Sequence, residues 1–178
     1  MSIPELQSFH LGMVVDNLAA TIKQYSAMFD IERWHYAAGR FKGLQMAYGR
    51  GAGQTFELFE VTGPGNSHIH QFYQQHGEGI NHIGLWTPDI PASVRKAIDA
   101  GAELLSLTAD AEGNATAQLI PSNDVTQEHF EKFGLVTFVN PTGGVLIEYV
   151  GQAGEAFLRD WFKDDFDNVV IKPSWLTA

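Results

Sequence analysis

The stretch GINHIGLWTPDIPASVRKAIDAGAE, Gly79–Glu103, reads as a strand carrying one histidine and then a helix. The chain opens with nearly the same phrase, SFHLGMVVDNLAATIKQYSAMFDIE, Ser8–Glu32. His10-Leu11-Gly12-Met13 stands beside His82-Ile83-Gly84-Leu85, then Leu18 beside Ile90, Ala20 beside Ala92 and Thr21 beside Ser93, every pair 72 residues apart. A constant spacing over a β-then-α unit is the mark of an internal repeat.

Working outward, residues 8–15 alternate as a strand, and Leu18, Ile22, Tyr25 and Phe29 follow at helical spacing behind Asp16 or Asn17 as N-cap. ERWHYAA, KGLQMAYGR and QTFELFEV are strand-like runs broken by Gly-rich turns, GRGAG being the clearest hairpin signal. The expected first βαβββ module covers residues 1–62. A linker over 63–78 contains a short helix capped by Asn66 or Ser67. The second module covers 79–151, with Pro91 in the first helical turn and Gly101 as the helix stop. GQTFELF and GVLIEYV place Glu57 and Glu148 at matching points 91 residues apart, so the second module carries 19 extra residues. They are expected at about 106–133, as a substrate loop or a passive excursion. Residues 152–178 are expected to form a helix bearing Phe157, Trp161 and Phe162 and then an extended end, packed on the domain or on a partner subunit.

Composition narrows the function classes. With 44% hydrophobic and 18% charged residues the chain is globular rather than disordered. A net charge of −10 argues against nucleic acid and anionic membranes as partners. The lack of a membrane-length apolar run or a signal-peptide pattern gives a cytoplasmic expectation. Arg33, Arg40, Lys42 and Arg50 form one basic stretch, read as solvated charges around a hairpin. There is no cysteine, so a metal would need His, Asp, Glu or amide ligands.

Strand alternation puts His10, Gly12 and Val14 on one face, with Phe9, Leu11, Met13 and Val15 on the other. It groups His82 with Gly84 and Trp86, Glu57 with Thr55 and Phe59, and Glu148 with Leu146 and Val150. Each module thus offers one histidine from its first strand and one carboxylate from its last. A carboxylate inside an apolar strand is costly to bury unpaired, and a shared divalent cation accounts for both glutamates. His10, Glu57, His82 and Glu148 are therefore the expected metal ligands. His68, His70 and His76 have no carboxylate partner at a motif spacing and are read as solvated helix residues, and His35 and His129 as isolated.

On the repeat, and above all on FYQQHGEGINHIGLWTPDIPA and FVNPTGGVLIEYV, the chain resembles the vicinal oxygen chelate superfamily of glyoxalases, dioxygenases and bleomycin-resistance proteins over about residues 8–151. The resemblance implies an α+β fold in which two βαβββ modules form a curled mixed sheet around a metal-binding cup. It implies one divalent ion, Zn, Ni, Co, Mn or Fe, on His10, Glu57, His82 and Glu148. It also implies a metal-dependent isomerase or lyase that acts on a small carbonyl or acyl compound through an enediolate, with Glu57 or Glu148 as proton carrier. The expected partners are a small-molecule substrate and a second copy of the chain in a homodimer. HYAAGRFKG lacks the carboxylate that epimerases of the group use to move a proton, and Glu57 stands where ring-cleaving dioxygenases have no ligand. The alternative is a metal-free sequestering protein with a guest between Trp34, Trp86 and Tyr48; a dioxygenase comes third.

Overall fold

The computed structural model describes residues 6–37, 41–110, 114–126, 129, 133–138 and 145–177. Its elements are β1 (Gln7–Val14), α1 (Leu18–Phe29), β2 (Trp34–Tyr36), β3 (Leu44–Gly51), β4 (Gln54–Val61), α2 (His68–His76), β5 (Gly79–Trp86), α3 (Ile90–Asp99), β6 (Ala102–Ala109), β7 (Ala115–Ile120), β8 (Phe133–Phe138), β9 (Leu146–Val150), α4 (Gln152–Phe162) and α5 (Phe166–Val169). The nine strands make one mixed sheet in the order β2-β3-β4-β1-β5-β9-β8-β6-β7. This is the expected α+β architecture. β1 runs parallel to β4 and β5 parallel to β9, while β1 and β5 join the two halves as an antiparallel pair.

Local chemistry repeats with the sequence. Asn17 Oδ1 accepts the Ala20 amide at 2.8 Å at the start of α1, and Asp89 Oδ1 accepts the Ala92 amide at 2.9 Å at the start of α3. Each cap satisfies an otherwise orphaned donor and starts the helix just beyond its strand. α1 packs on Leu11, Met13, Val15, Phe56 and Leu58, and α3 on Ala102, Leu104 and Ile147, so both helices cover one face of the sheet. The β3–β4 turn has positive φ at Ala52 and Gly53, the twist a two-residue hairpin needs, and it sets Gly51 opposite Gln54.

The halves differ in two respects. The second half has a fifth strand, β7, which pairs only with β6 at the sheet edge. It lies in the stretch expected as an insertion, whose residues 111–113, 127, 128 and 130–132 are outside the described residues. The other difference is the C-terminal segment. Leu158, Phe162, Phe166, Val169 and Val170 cluster with Val14, Met46, Tyr48, Phe59, Trp86 and Val150, covering the concave face over the first half and the ends of β5 and β9 in the second. Thr55 Oγ1 donates to the Val169 carbonyl at 2.5 Å and Trp86 Nε1 to that of Ile171 at 2.7 Å. Arg33 and His35 at the edge strand both reach Asp165, at 2.5 and 3.0 Å.

Several expectations are corrected by this packing. The chain beyond α4 is not simply extended, because the short helix α5 presses Phe166 and Val169 into the core. His35 is not isolated. Trp34 cannot line a guest site with Trp86 and Tyr48, because it sits on the α1 face with Nε1 donating to Ser26 Oγ at 2.9 Å, and Trp86 is sealed under the tail. Phe9 also leaves its expected face: a register shift between Ser8 and His10 lets it pack on Trp86 beside His10.

Phe162 is 1% exposed at the centre of this plug. Phe162→Ala is expected to cost about 3 to 5 kcal/mol, read as a lower urea midpoint with near-native secondary structure below it.

Candidate metal centre

The β1–β5 pair builds the centre. His10 lies opposite Gly84 and Gly12 opposite His82, so each imidazole rests over the glycine of the other strand. A Cβ at Gly12 would stand 2.0 Å from His82 Cε1, and one at Gly84 2.3 Å from His10 Cε1. The repeated His-x-Gly is therefore a reciprocal steric arrangement, in which two rings share the space that two absent side chains leave. The neighbouring strands add the carboxylates: Gly12 is level with Glu57 on β4 and Gly84 with Glu148 on β9.

The four side chains converge as expected. His10 Nε2 and His82 Nε2 are 2.8 Å apart. Glu57 Oε2 lies 3.2 Å from the first and 2.9 Å from the second. Glu148 Oε2 lies 3.0 and 3.5 Å from the same two atoms. One donor atom from each residue falls within 4.8 Å of every other. Metal bonds of about 2.0 to 2.2 Å put neighbouring donors roughly 3.0 to 3.6 Å apart, and the histidine–glutamate separations of 2.9 to 3.5 Å lie close to that range. Two imidazoles and two carboxylates also match its charge. All four ligands come from one chain, so the cup is complete without exchange of modules between subunits.

Supporting contacts distinguish the two glutamates. Tyr48, level with Glu57 in the β3–β4 hairpin, donates its hydroxyl to Glu57 Oε1. Asn81 Oδ1 lies 3.0 Å from His82 Nδ1 and fixes the ring with Nε2 toward the centre. The Glu57 side chain is 10% exposed and held on both oxygens. The Glu148 side chain is 17% exposed, and among the described residues it meets only the two histidines. Tyr48 was legible in hairpin arithmetic, since the Ala52-Gly53 turn dictates its partner; Asn81, adjacent to His82, carried no such signal.

His68 corrects the sequence reading. Its ring stands 6.4 Å from that of His82, centroid to centroid, at the first turn of α2, and burial lowers its pKa to about 4. It is a neutral imidazole beside the centre. His70 is also buried, stacked over Gly65 with Nδ1 2.8 Å from Ser67 Oγ, whereas His76 is exposed as expected. Nothing in the local sequence marks His68, because its position depends on where α2 docks. His129 Nδ1 accepts the Thr126 amide at 3.0 Å, away from the centre. Of the basic stretch, Lys42 and Arg50 are exposed and Arg33 is paired with Asp165, while Arg40 is outside the described residues.

Residues 9–118 match the family described as Glyoxalase/Bleomycin resistance protein/Dioxygenase superfamily. The chain belongs to that superfamily. No curated protein matches it in sequence. Among solved structures it is similar to methylmalonyl-CoA epimerase from Mycobacterium tuberculosis, with 18% identity and a TM-score of 0.56 over 85% of this chain and 91% of that one. The Streptomyces coelicolor methylmalonyl-CoA epimerase bound to 2-nitronate-propionyl-CoA gives 22% identity and a TM-score of 0.54 over 82% and 93%. A 4-hydroxymandelate synthase variant from Streptomyces coelicolor gives 23% and 0.53 over 83% of this chain and 48% of that one. At these identities the likeness is one of fold. No described helix is long and apolar enough to cross a membrane.

Electrostatics without a cation follow from the same geometry. Burial opposes charge on His10, but the field of Glu57 and the hydrogen bonds to Glu148 and Glu57 prevail and raise its pKa to about 10. Burial would likewise raise Glu57, yet His10 and His82 hold it well below the usual carboxylate range. The raised His10 stabilises the fold fully below its ordinary value of 6.5 and loses that effect as pH rises through about 10. The depressed Glu57 contributes above its ordinary 4.5 and loses that as pH falls. Metal-free protein should therefore show its highest urea midpoint between pH 4.5 and 6.5 and decline on both sides. Glu57→Gln should flatten the acid limb.

The glycine arrangement makes a second expectation. Gly84→Ala should displace the His10 ring and lower zinc affinity by about tenfold or more, read by competition with a chromogenic chelator. Gly53→Ala, where an added Cβ meets nothing within 4 Å, serves as the control and should leave affinity unchanged.

Proposed function

We propose that this protein is a metal-dependent isomerase or lyase that moves a proton between adjacent carbons of a small carbonyl or acyl compound. The observation that carries this reading is the convergence of four donors, three of them buried and the fourth, Glu148, partly exposed. A divalent ion held by His10, Glu57, His82 and Glu148 would supply Lewis-acid polarisation of the substrate's oxygens, making the neighbouring C–H more acidic. Tyr48 and the two histidines hold Glu57 in place as a ligand. Glu148, with fewer partners and more exposure, is the proton carrier: it takes the proton from one carbon and returns it to the next. His68, neutral beside the centre, offers a ring nitrogen for orienting the substrate. The fourth ligand, Glu57, favours proton chemistry over the three-ligand arrangement of non-haem iron oxygenases. Four inward-facing ionisable groups are likewise an expense that a metal-free binding cup would not need. The homodimer belongs to this proposal as an association of finished sites, since each chain contains its own.

The test is a screen of hemithioacetals of 2-oxoaldehydes and of 2-methylacyl thioesters on metal-loaded protein in deuterium oxide, followed by NMR. Deuterium should enter at the acidic carbon. Glu148→Gln should lower kcat by about 100-fold or more while metal, measured by elemental analysis, stays bound. Unchanged turnover in that variant would exclude Glu148 as the carrier.

A further inference from the structure

The two halves of the concave face offer different surroundings to a substrate. The C-terminal segment covers the first half and reaches Trp86 and Val150 in the second, and among the described residues its apolar cluster includes none from β6 or β7. Register defines its wall. Glu148 pairs with Leu135 on β8, Leu135 with Leu105 on β6, and Leu105 with Leu119 on β7, placing these positions on the face of the metal ligands. Leu107 and Ala117 form the next pair along the hairpin. The opposite face there is polar, carrying Ser106, Thr108, Thr116 and Gln118, with the two threonine hydroxyls 2.7 Å apart. Leu107 and Leu119 are nevertheless 40% and 48% exposed, an apolar pair of positions on the side of the four donors, with α2 alongside β7. A chain with no use for that surface would gain by making it polar.

Charge restricts what the wall can receive. Between Lys96 and Arg159 the sequence has one lysine or arginine, Lys132, which is outside the described residues. The described cations near the first half are exposed or paired with Asp165 and Asp167. A nucleotide tail with several phosphates would find no cation among the described residues of this wall, in a chain whose net charge is −10.

We infer that the open half of the cup selects carbonyl or acyl compounds with an uncharged apolar tail, their oxygens directed to the four donors and the tail lying along Leu105, Leu107 and Leu119. Two strand spacings separate Leu105 from Glu148, roughly 10 Å, a reach suited to a medium-length alkyl or aryl group. β7, the strand with no counterpart in the first half, supplies the far side of the wall. This inference rests on the metal reading of the site.

Acetohydroxamate and octanohydroxamate, two oxygen chelators that differ only in tail length, test it on zinc-loaded protein by calorimetry. The longer probe should bind at least about tenfold more tightly, because each methylene leaving water adds affinity. In Leu107→Ser and in Leu119→Ser, both at exposed positions, the ratio should fall to within about twofold, while the outer-face change Gln118→Glu should preserve it. Coenzyme A at equal concentration should not compete. Equal affinities in the unmodified protein, a ratio that survives both leucine changes, or competition by coenzyme A would each overturn the inference. A leucine variant that shifts from dimer to monomer in sedimentation and keeps the ratio would assign the wall to a second copy and overturn it as well. Failure to take up zinc would overturn the metal reading and this inference together, whereas zinc uptake without a tail effect would overturn this inference alone.

Discussion

The antiparallel register of β1 and β5 is the constraint on which the centre depends. Residues directly opposite in such a pair project from the same face about 5 Å apart, and here each imidazole lies across its neighbour's position, where a Cβ would stand 2.0 to 2.3 Å from the ring. Glycine removes the obstruction, and its reciprocal use at Gly12 and Gly84 turns two rings toward a common point. A slip of one residue would send both histidines into the helix-packed face. The flanking parallel pairs then bring in Glu57 and Glu148 without further adjustment.

Around this near-symmetric centre the environment is asymmetric. One carboxylate accepts a hydrogen bond from Tyr48; the other, on β9, is more exposed and is level with Leu135 of β8. The pair can thus divide between holding a cation and moving a proton. A perfectly repeated cup would give both glutamates the same surroundings and no reason to differ.

Much of this was legible before any coordinates. The 72-residue repeat, the alternation that aligned His10 with Gly12 and His82 with Gly84, and the matched carboxylates all follow from local rules of strand geometry. Those rules failed where contacts at long range intervened. His68 and His70 looked like polar residues of a linker helix, but α2 is drawn over the sheet by Ile69 and Phe72, which buries His70 between them and brings His68 beside His82. Phe9 joins the other face because of a register shift that periodicity does not reveal, and Trp34 because the β2–β3 register sets it opposite Gly49 rather than beside Tyr48.

The sequence by itself determined the duplicated β-then-α units, the four candidate donor positions and the absence of thiolate chemistry, because each depends on residue type and on spacing along a strand. Tertiary structure alone decided that the cup closes within one chain, that the tail occupies half of it, and that Glu148 is the freer carboxylate. These depend on which surfaces meet. The aromatic tail could have buried its apolar face on another subunit equally well by composition, and only the fit of Phe162 and Phe166 beneath Tyr48 and Trp86 selects the site it covers.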